Sequence, residues 1–220
     1  MLAFLVKKEL LMEFRAKESF LTMAAFSMVV IVSFSFSFNV SSGRFVEMTP
    51  GLFWVMVLFT SVLGLQRSFA YESEFDAFSM LLSAPVDRGL IFLAKWISGW
   101  IVLTLIVLIA LIPFTLFLRF TIPTNPLVGI GIILLGNASI MCLGSFVSGL
   151  AMRSRLSNVL VPILLFPLLS PVVIASVKST SGWMRGLSFS TWETWIFVLS
   201  SFIIIFGLLG YTLFNHITEE

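Results

Sequence analysis

Charge is what this chain has least of. Asp, Glu, Lys and Arg make up 11% of its 220 residues, against 59% hydrophobic. An ordinary soluble domain carries about 25% charged residues. A soluble fold would have to spread this apolar excess over its surface, where it would aggregate. Cysteine and histidine are nearly missing, with one of each. Cys142 therefore has no intramolecular disulfide partner, and its setting among Ile140, Met141 and Leu143 reads as that of a small buried hydrophobe. His216 stands alone near the end of the sequence, whereas metal sites built from N and S donors draw on several such residues. The net charge of +2 is no nucleic-acid footprint. No Gly-x-x-x-x-Gly-Lys-Ser loop occurs, so ATP hydrolysis by that chemistry is excluded for this chain. The alternation of a β-barrel is also missing. The Ser-Phe repeat of residues 33–38 continues a long apolar run and reads as helix.

What the chain does have is long apolar runs. A bilayer-crossing helix needs about 20 mostly apolar residues, and six runs qualify: about 20–40, 51–65, 90–118, 127–152, 158–177 and 195–214. In hydrocarbon every backbone polar group must be satisfied within its own segment, so these are expected to be helices. The expected fold is an all-α integral membrane protein, a single transmembrane permease domain over residues 1–220. The first residues do not read as a cleaved signal peptide. Glu9, Glu13 and Glu18 interrupt the region after Lys7 and Lys8, and no small-x-small cleavage site follows the long apolar run.

Basic residues set the expected orientation. With the N-terminus in the cytoplasm, that side holds Lys7, Lys8, Arg15, Lys17, Arg67, Arg88, Lys95, Arg153 and Arg155. The other side holds only Arg44, Arg119, Lys178 and Arg185, so both ends are expected inside. Residues 1–19 mix charge with Leu10, Leu11, Met12 and Phe14, as in a helix lying along the interface. Lys7 falls on its apolar side and would have to snorkel. Of the expected outer links, residues 178–194 are the longest, with Trp183, Trp192 and Trp195 as interfacial anchors or as a platform for a flat ligand. No intramembrane cluster of acids or bases marks an ion path, which argues against a self-sufficient channel.

The densest polar stretch joins the second and third runs. Glu72, Glu74 and Asp76 cluster there, while Phe75, Phe78, Leu81 and Leu82 recur on one helical face before Pro85 blocks continuation. A short amphipathic helix on the cytoplasmic surface is expected from about Phe69 to Leu82, of a kind that fits a groove on a partner. In the fourth run, Gly136, Gly144, Ser145, Ser148 and Gly149 permit close helix packing, and Asn137 is a candidate interhelical hydrogen-bonding group. In the fifth, Pro162, Pro167 and Pro171 each lack a backbone donor, so bends or breaks are expected there.

The stretch Phe69-Ala70-Tyr71-Glu72, followed by Leu81-Leu82-Ser83-Ala84-Pro85-Val86-Asp87-Arg88 and Ile91-Phe92-Leu93-Ala94-Lys95, resembles the signature region of the CcmB family. So does Pro50-Gly51-Leu52-Phe53-Trp54-Val55, which opens the second run. Phe75, Asp76 and Ser79 depart from the family's acid, glycine and acid. The resemblance implies an ABC-2-like permease with a cytoplasmic coupling helix between transmembrane helices 2 and 3. This subunit of a haem-handling complex for cytochrome c maturation would be non-catalytic. The implied partners are a CcmA-like ATPase, a CcmC-like haem-handling subunit, a CcmD-like helper and the CcmE-like haem chaperone in the periplasm. ATP hydrolysis in the ATPase would drive release of the loaded chaperone. The ATPase would dock on Arg67, Phe69, Ala70, Glu72, Glu74, Phe75, Asp76, Phe78, Pro85, Asp87 and Arg88. No cofactor is expected to bind this chain directly: haem would be handled by the complex and ATP by the partner. The expected location is the bacterial inner membrane, with no nucleic-acid partner, and pairing of two copies stays open. Two other readings fit the same layout: an ABC-2-type permease exporting a lipid, drug or polysaccharide, and a membrane scaffold that transports nothing.

Overall fold

The computed structural model describes the backbone of residues 1–15, 17–38, 43–74, 87–118, 123, 125–151 and 157–217, and side chains at 43, 44, 46, 69–74, 157–160, 162 and 215–217 lie outside that description. The described residues form seven helices and no strand: α1 (Leu2–Arg15), α2 (Glu18–Ser37), α3 (Gly43–Glu74), α4 (Arg88–Phe117), α5 (Pro126–Ala151), α6 (Ser157–Met184) and α7 (Phe189–Ile217). Helices α2 to α7 each carry a stretch long and apolar enough to cross a membrane. Successive crossings alternate in direction. One face of the bundle therefore gathers α1, the end of α3, the start of α4 and the end of α7. The opposite face gathers the end of α2, the start of α3, the end of α4, the start of α5 and the turn from α6 to α7.

The bundle is built around α5. Every residue from Gly136 to Gly149 is buried, and α3, α4, α6 and α7 all pack against it. Small residues let those neighbours approach. A methyl group on Gly136 would overlap the Trp54 ring, one on Gly144 the Leu65 side chain, and one on Gly149 the Phe214 ring. Lipid offers apolar side chains no hydrophobic gain, so such packing and interhelical hydrogen bonds hold the bundle together. Trp96 and Trp100, one turn apart on α4, donate their indole N–H groups to the Ala138 and Leu134 carbonyls of α5, each at 3.0 Å. Asn137 Nδ2 donates to Thr104 Oγ1 at 3.3 Å, and Ser139 Oγ reaches the Leu199 carbonyl of α7 at 3.1 Å. The Cys142 thiol is buried and points at the Ile203 carbonyl.

The helix ends follow local chemistry. Pro126 opens α5 at the first helical position, where its missing N–H costs nothing. Asp87 caps α4, its carboxylate accepting from Gly89 N at 2.9 Å. Gly186, at φ 64°, closes α6: its N–H bonds the Trp183 carbonyl, and Leu187 N–H bonds that of Gly182. This is the Schellman arrangement, which requires a residue in the left-handed region.

That cap corrects the long outer link expected over residues 178–194. Helix α6 continues to Met184 and α7 begins at Phe189. The run Ser179-Thr180-Ser181-Gly182 looks like loop by composition, but its small side chains face neighbours. Thr180 accepts the Trp54 indole N–H at 2.8 Å, and Gly182 lies under the Trp192 ring. One further expectation meets a different outcome. No helix break occurs at Pro167 or Pro171. The Pro167 carbonyl, which has no amide partner at Pro171, accepts instead from Ser170 Oγ at 2.8 Å. On the first face, α3 runs unbroken through Glu74, because neither proline nor glycine follows Gly64 in it. Phe69, Ala70, Glu72 and Glu74 belong to α3 along the backbone, and the rest of the surface helix expected as far as Leu82 lies outside the described residues. Phe75, Asp76, Phe78 and Pro85 lie outside the described residues.

Candidate functional site

Helix α1 packs against α4, and a charged pair lies between them. Lys95 Nζ is 3.0 Å from Glu9 Oε2, with side chains only 5% and 7% exposed. Lys8 Nζ approaches the other Glu9 oxygen at 3.4 Å from a more exposed position. Lys95 stands about 10 Å along the α4 axis from Arg88, at 1.5 Å per residue, inside the stretch that can cross a membrane. Lys95, counted above among the basic residues of the expected cytoplasmic side, thus has a buried carboxylate as its partner. An isolated ion there would be strongly disfavoured, and pairing is what permits it. A void of about 20 Å³ adjoins the pair, bounded by Glu13, Ser68, Lys95, Gly99 and Ser145 among others. It is large enough for one water molecule, and the buried Ser145 hydroxyl beside it has no hydrogen-bond partner.

Two further contacts tie this face together. Asp87 uses both carboxylate oxygens within the chain, one on the Gly89 amide and the other on the Tyr211 hydroxyl at 2.8 Å. Gly89 packs directly under the Tyr211 ring. The residue that ends the link from α3 is thereby fastened to both α4 and the last helix. Arg67 lies 3.5 Å from Glu18 at the start of α2, with both side chains about half exposed or more. Arg88 is the first residue of α4 and is partly exposed. The side chains of Phe69, Ala70, Glu72 and Glu74 fall outside the described set, as do those of Pro162 and His216.

The opposite face is built from tryptophan. Trp54 bonds Thr180, Trp183 Nε1 donates to the Asn125 carbonyl at 3.0 Å, and Trp192 Nε1 reaches the Leu187 carbonyl at 3.3 Å. Trp183 covers Gly129 of α5 while Trp192 covers Gly182 of α6. Trp183 does border an apolar cavity of about 190 Å³ with Pro50, Phe53, Phe114 and Pro126. Arg185 and Glu47 add one exposed ion pair at 3.5 Å. Among the described residues, no three His, Cys, Asp or Glu side chains come together as a metal site.

Comparison with known proteins decides the family. The CcmB family, described as CcmB protein, matches residues 1–211. The chain belongs to the CcmB family. Relatives named Heme exporter protein B include one from Paracoccus denitrificans, 28% identical over 175 residues and covering 80% of each chain. The Rhodobacter capsulatus protein is 24% identical over 184 residues, 84% of each chain. That of Pseudomonas aeruginosa is 24% identical over 197 residues, 90% of this chain and 88% of the relative. With six crossing-competent helices, this CcmB protein is a multi-pass membrane protein.

Sequence reasoning did not single out Glu9, the pairing of Lys95, or Tyr211. One signal was available. Lys95 sits inside an apolar run with Phe92, Leu93 and Ala94 before it and Trp96 and Ile97 after it, and a cation so placed requires a partner.

Proposed function

We propose that this CcmB chain is the membrane subunit of an ABC-type complex that handles haem for cytochrome c maturation in the inner membrane, with both ends cytoplasmic. ATP hydrolysis would belong to a separate CcmA-like subunit. CcmC-like, CcmD-like and CcmE-like proteins would supply haem handling, assistance and the periplasmic chaperone. The observation that carries this reading is the family match across residues 1–211, together with the name Heme exporter protein B borne by its relatives. The absence of a phosphate-binding loop in the sequence agrees with energy entering through a partner.

The proposed route of that energy begins at the acidic, aromatic stretch after Ser68. Closure of the ATPase dimer presses on Arg67, Phe69, Ala70, Glu72, Glu74, Phe75, Asp76 and Phe78. The far end of the same stretch, from Pro85 through Asp87 to Arg88, hands the displacement to α4. The contact from Asp87 to Tyr211 extends it to α7. Motion then requires that the helices have alternative packings. The close approach of neighbours at Gly144, Ser145 and Gly149 supplies a seam along which small shifts can occur.

The test replaces Glu72, Glu74 and Asp76 with lysine in the intact operon. Co-purification of the ATPase subunit should fall sharply, and cytochrome c yield with it. Unchanged binding together with unchanged yield removes the docking role. ATPase stimulation by the haem chaperone in the reconstituted complex separates a working transducer from a passive scaffold, which would show none.

A further inference from the structure

The outward side of α1 carries a feature that the ion pair does not use. Glu9 and Leu5 turn inward. The next face around the helix forms, with Ile97 of α4, an open groove of about 460 Å³ lined by Leu2, Val6, Leu10 and Phe14, with Lys7 among them. The apolar residues along this side are exposed: Phe4 at 74%, Leu11 at 47% and Phe14 at 48%. In a bilayer such a surface meets acyl chains. Ala3, Leu11 and Phe14 are the neighbours of Lys7 at i−4, i+4 and i+7, so this lysine rises from the middle of an apolar strip. Among the described residues no carboxylate pairs with it, whereas Lys8 and Lys95 share Glu9.

A lysine stem in that position lies along apolar surface while its ammonium reaches for the headgroup layer. An interfacial position of α1, as expected from its sequence, would suit this, because such helices bury their apolar face about 5–10 Å into the boundary between headgroups and chains. We infer that the groove between α1 and α4 is a binding site for one anionic phospholipid, its acyl chain lying along Leu2, Val6, Leu10 and Ile97 and its phosphate paired with Lys7. The lipid covers the flank of α1 that adjoins the one Lys95 holds, so the helix is fixed on two neighbouring sides.

The full-length protein is reconstituted in phosphatidylcholine vesicles containing a minority of phosphatidylglycerol, extracted gently, and its retained phospholipid identified by mass spectrometry. Phosphatidylglycerol should be enriched about fivefold over the bulk mixture, the factor that corresponds to the ~1 kcal/mol a basic side chain gains near an anionic surface. Lys7→Gln should return the ratio to that of the bulk, Lys7→Arg should preserve it, and Lys178→Gln on the opposite face should leave it unchanged. A photoreactive residue at Val6 should form lipid adducts. Equal retention of both lipids by the wild-type chain, or undiminished enrichment in Lys7→Gln, overturns the proposal. So does a Val6 adduct formed with another polypeptide in place of lipid.

Discussion

The two ends of this bundle are fastened by different chemistry. The end bearing α1 is held by carboxylates: Glu9 on Lys95, Asp87 on Gly89 and Tyr211, and Glu18 on Arg67. The other end is held by indoles: Trp54 on Thr180, Trp183 on the Asn125 carbonyl and Trp192 on Leu187. Indole contacts combine large apolar area with one neutral hydrogen bond. They tolerate the membrane edge at little electrostatic cost and are suited to a fixed joint. A buried ion pair is different, because its net worth is a small difference between large desolvation and Coulomb terms. It can be undone by a rearrangement that brings water or a rival charge close. The contrast teaches that the end nearest the proposed motor is the one built from separable contacts.

The sharpest way to break the contrast is Lys95→Ala. It leaves Glu9 buried without its closest cation and should destabilise the protein by about 3–5 kcal/mol, read as a lowered thermal unfolding midpoint in detergent. Replacing both partners, Glu9→Leu with Lys95→Leu, should recover most of that stability. If the double variant is as unstable as the single one, the pair is not acting as a unit. At the tryptophan end, Trp54→Phe should cost less, about 1–3 kcal/mol for the hydrogen bond and the ring packing lost against Gly136 together. Thr180 still donates to the Ser176 carbonyl at 2.8 Å and is not left bare. A loss as large as that of Lys95→Ala would abolish the distinction between the two ends. The smallest effect is expected at the exposed pair Arg185–Glu47. Arg185→Ala should stay within about 0.5 kcal/mol of the wild type by the same unfolding measurement, as exposed ion pairs are screened by solvent and salt.

The sequence reveals most of what depends on local pattern. Long apolar runs give the helices, Pro126 and Asp87 mark starts, and the small residues Gly136, Gly144 and Gly149 mark the crowded helix. It conceals what depends on distance. Glu9 and Lys95 meet across 86 positions, and Asp87 and Tyr211 across 124. No periodicity links such residues, and only the placement of Lys95 within hydrocarbon hints that a partner must exist. The end of α6 is a third case. Its polar composition over residues 178–182 reads as loop, but the competing signal is Gly186, whose left-handed cap sets the true end.

The continuity of α3 carries a mechanical consequence. Its 32 residues span about 48 Å at 1.5 Å per residue, whereas the hydrocarbon layer is about 30 Å thick. The surplus makes it a shaft with an overhang, and its only proline, Pro50, lies near the far end, beyond Trp54. No proline separates the overhang from Trp54, so a sideways push on it would tilt the rod about the Trp54–Gly136 contact, and the displacement would reappear with opposite sign beyond it.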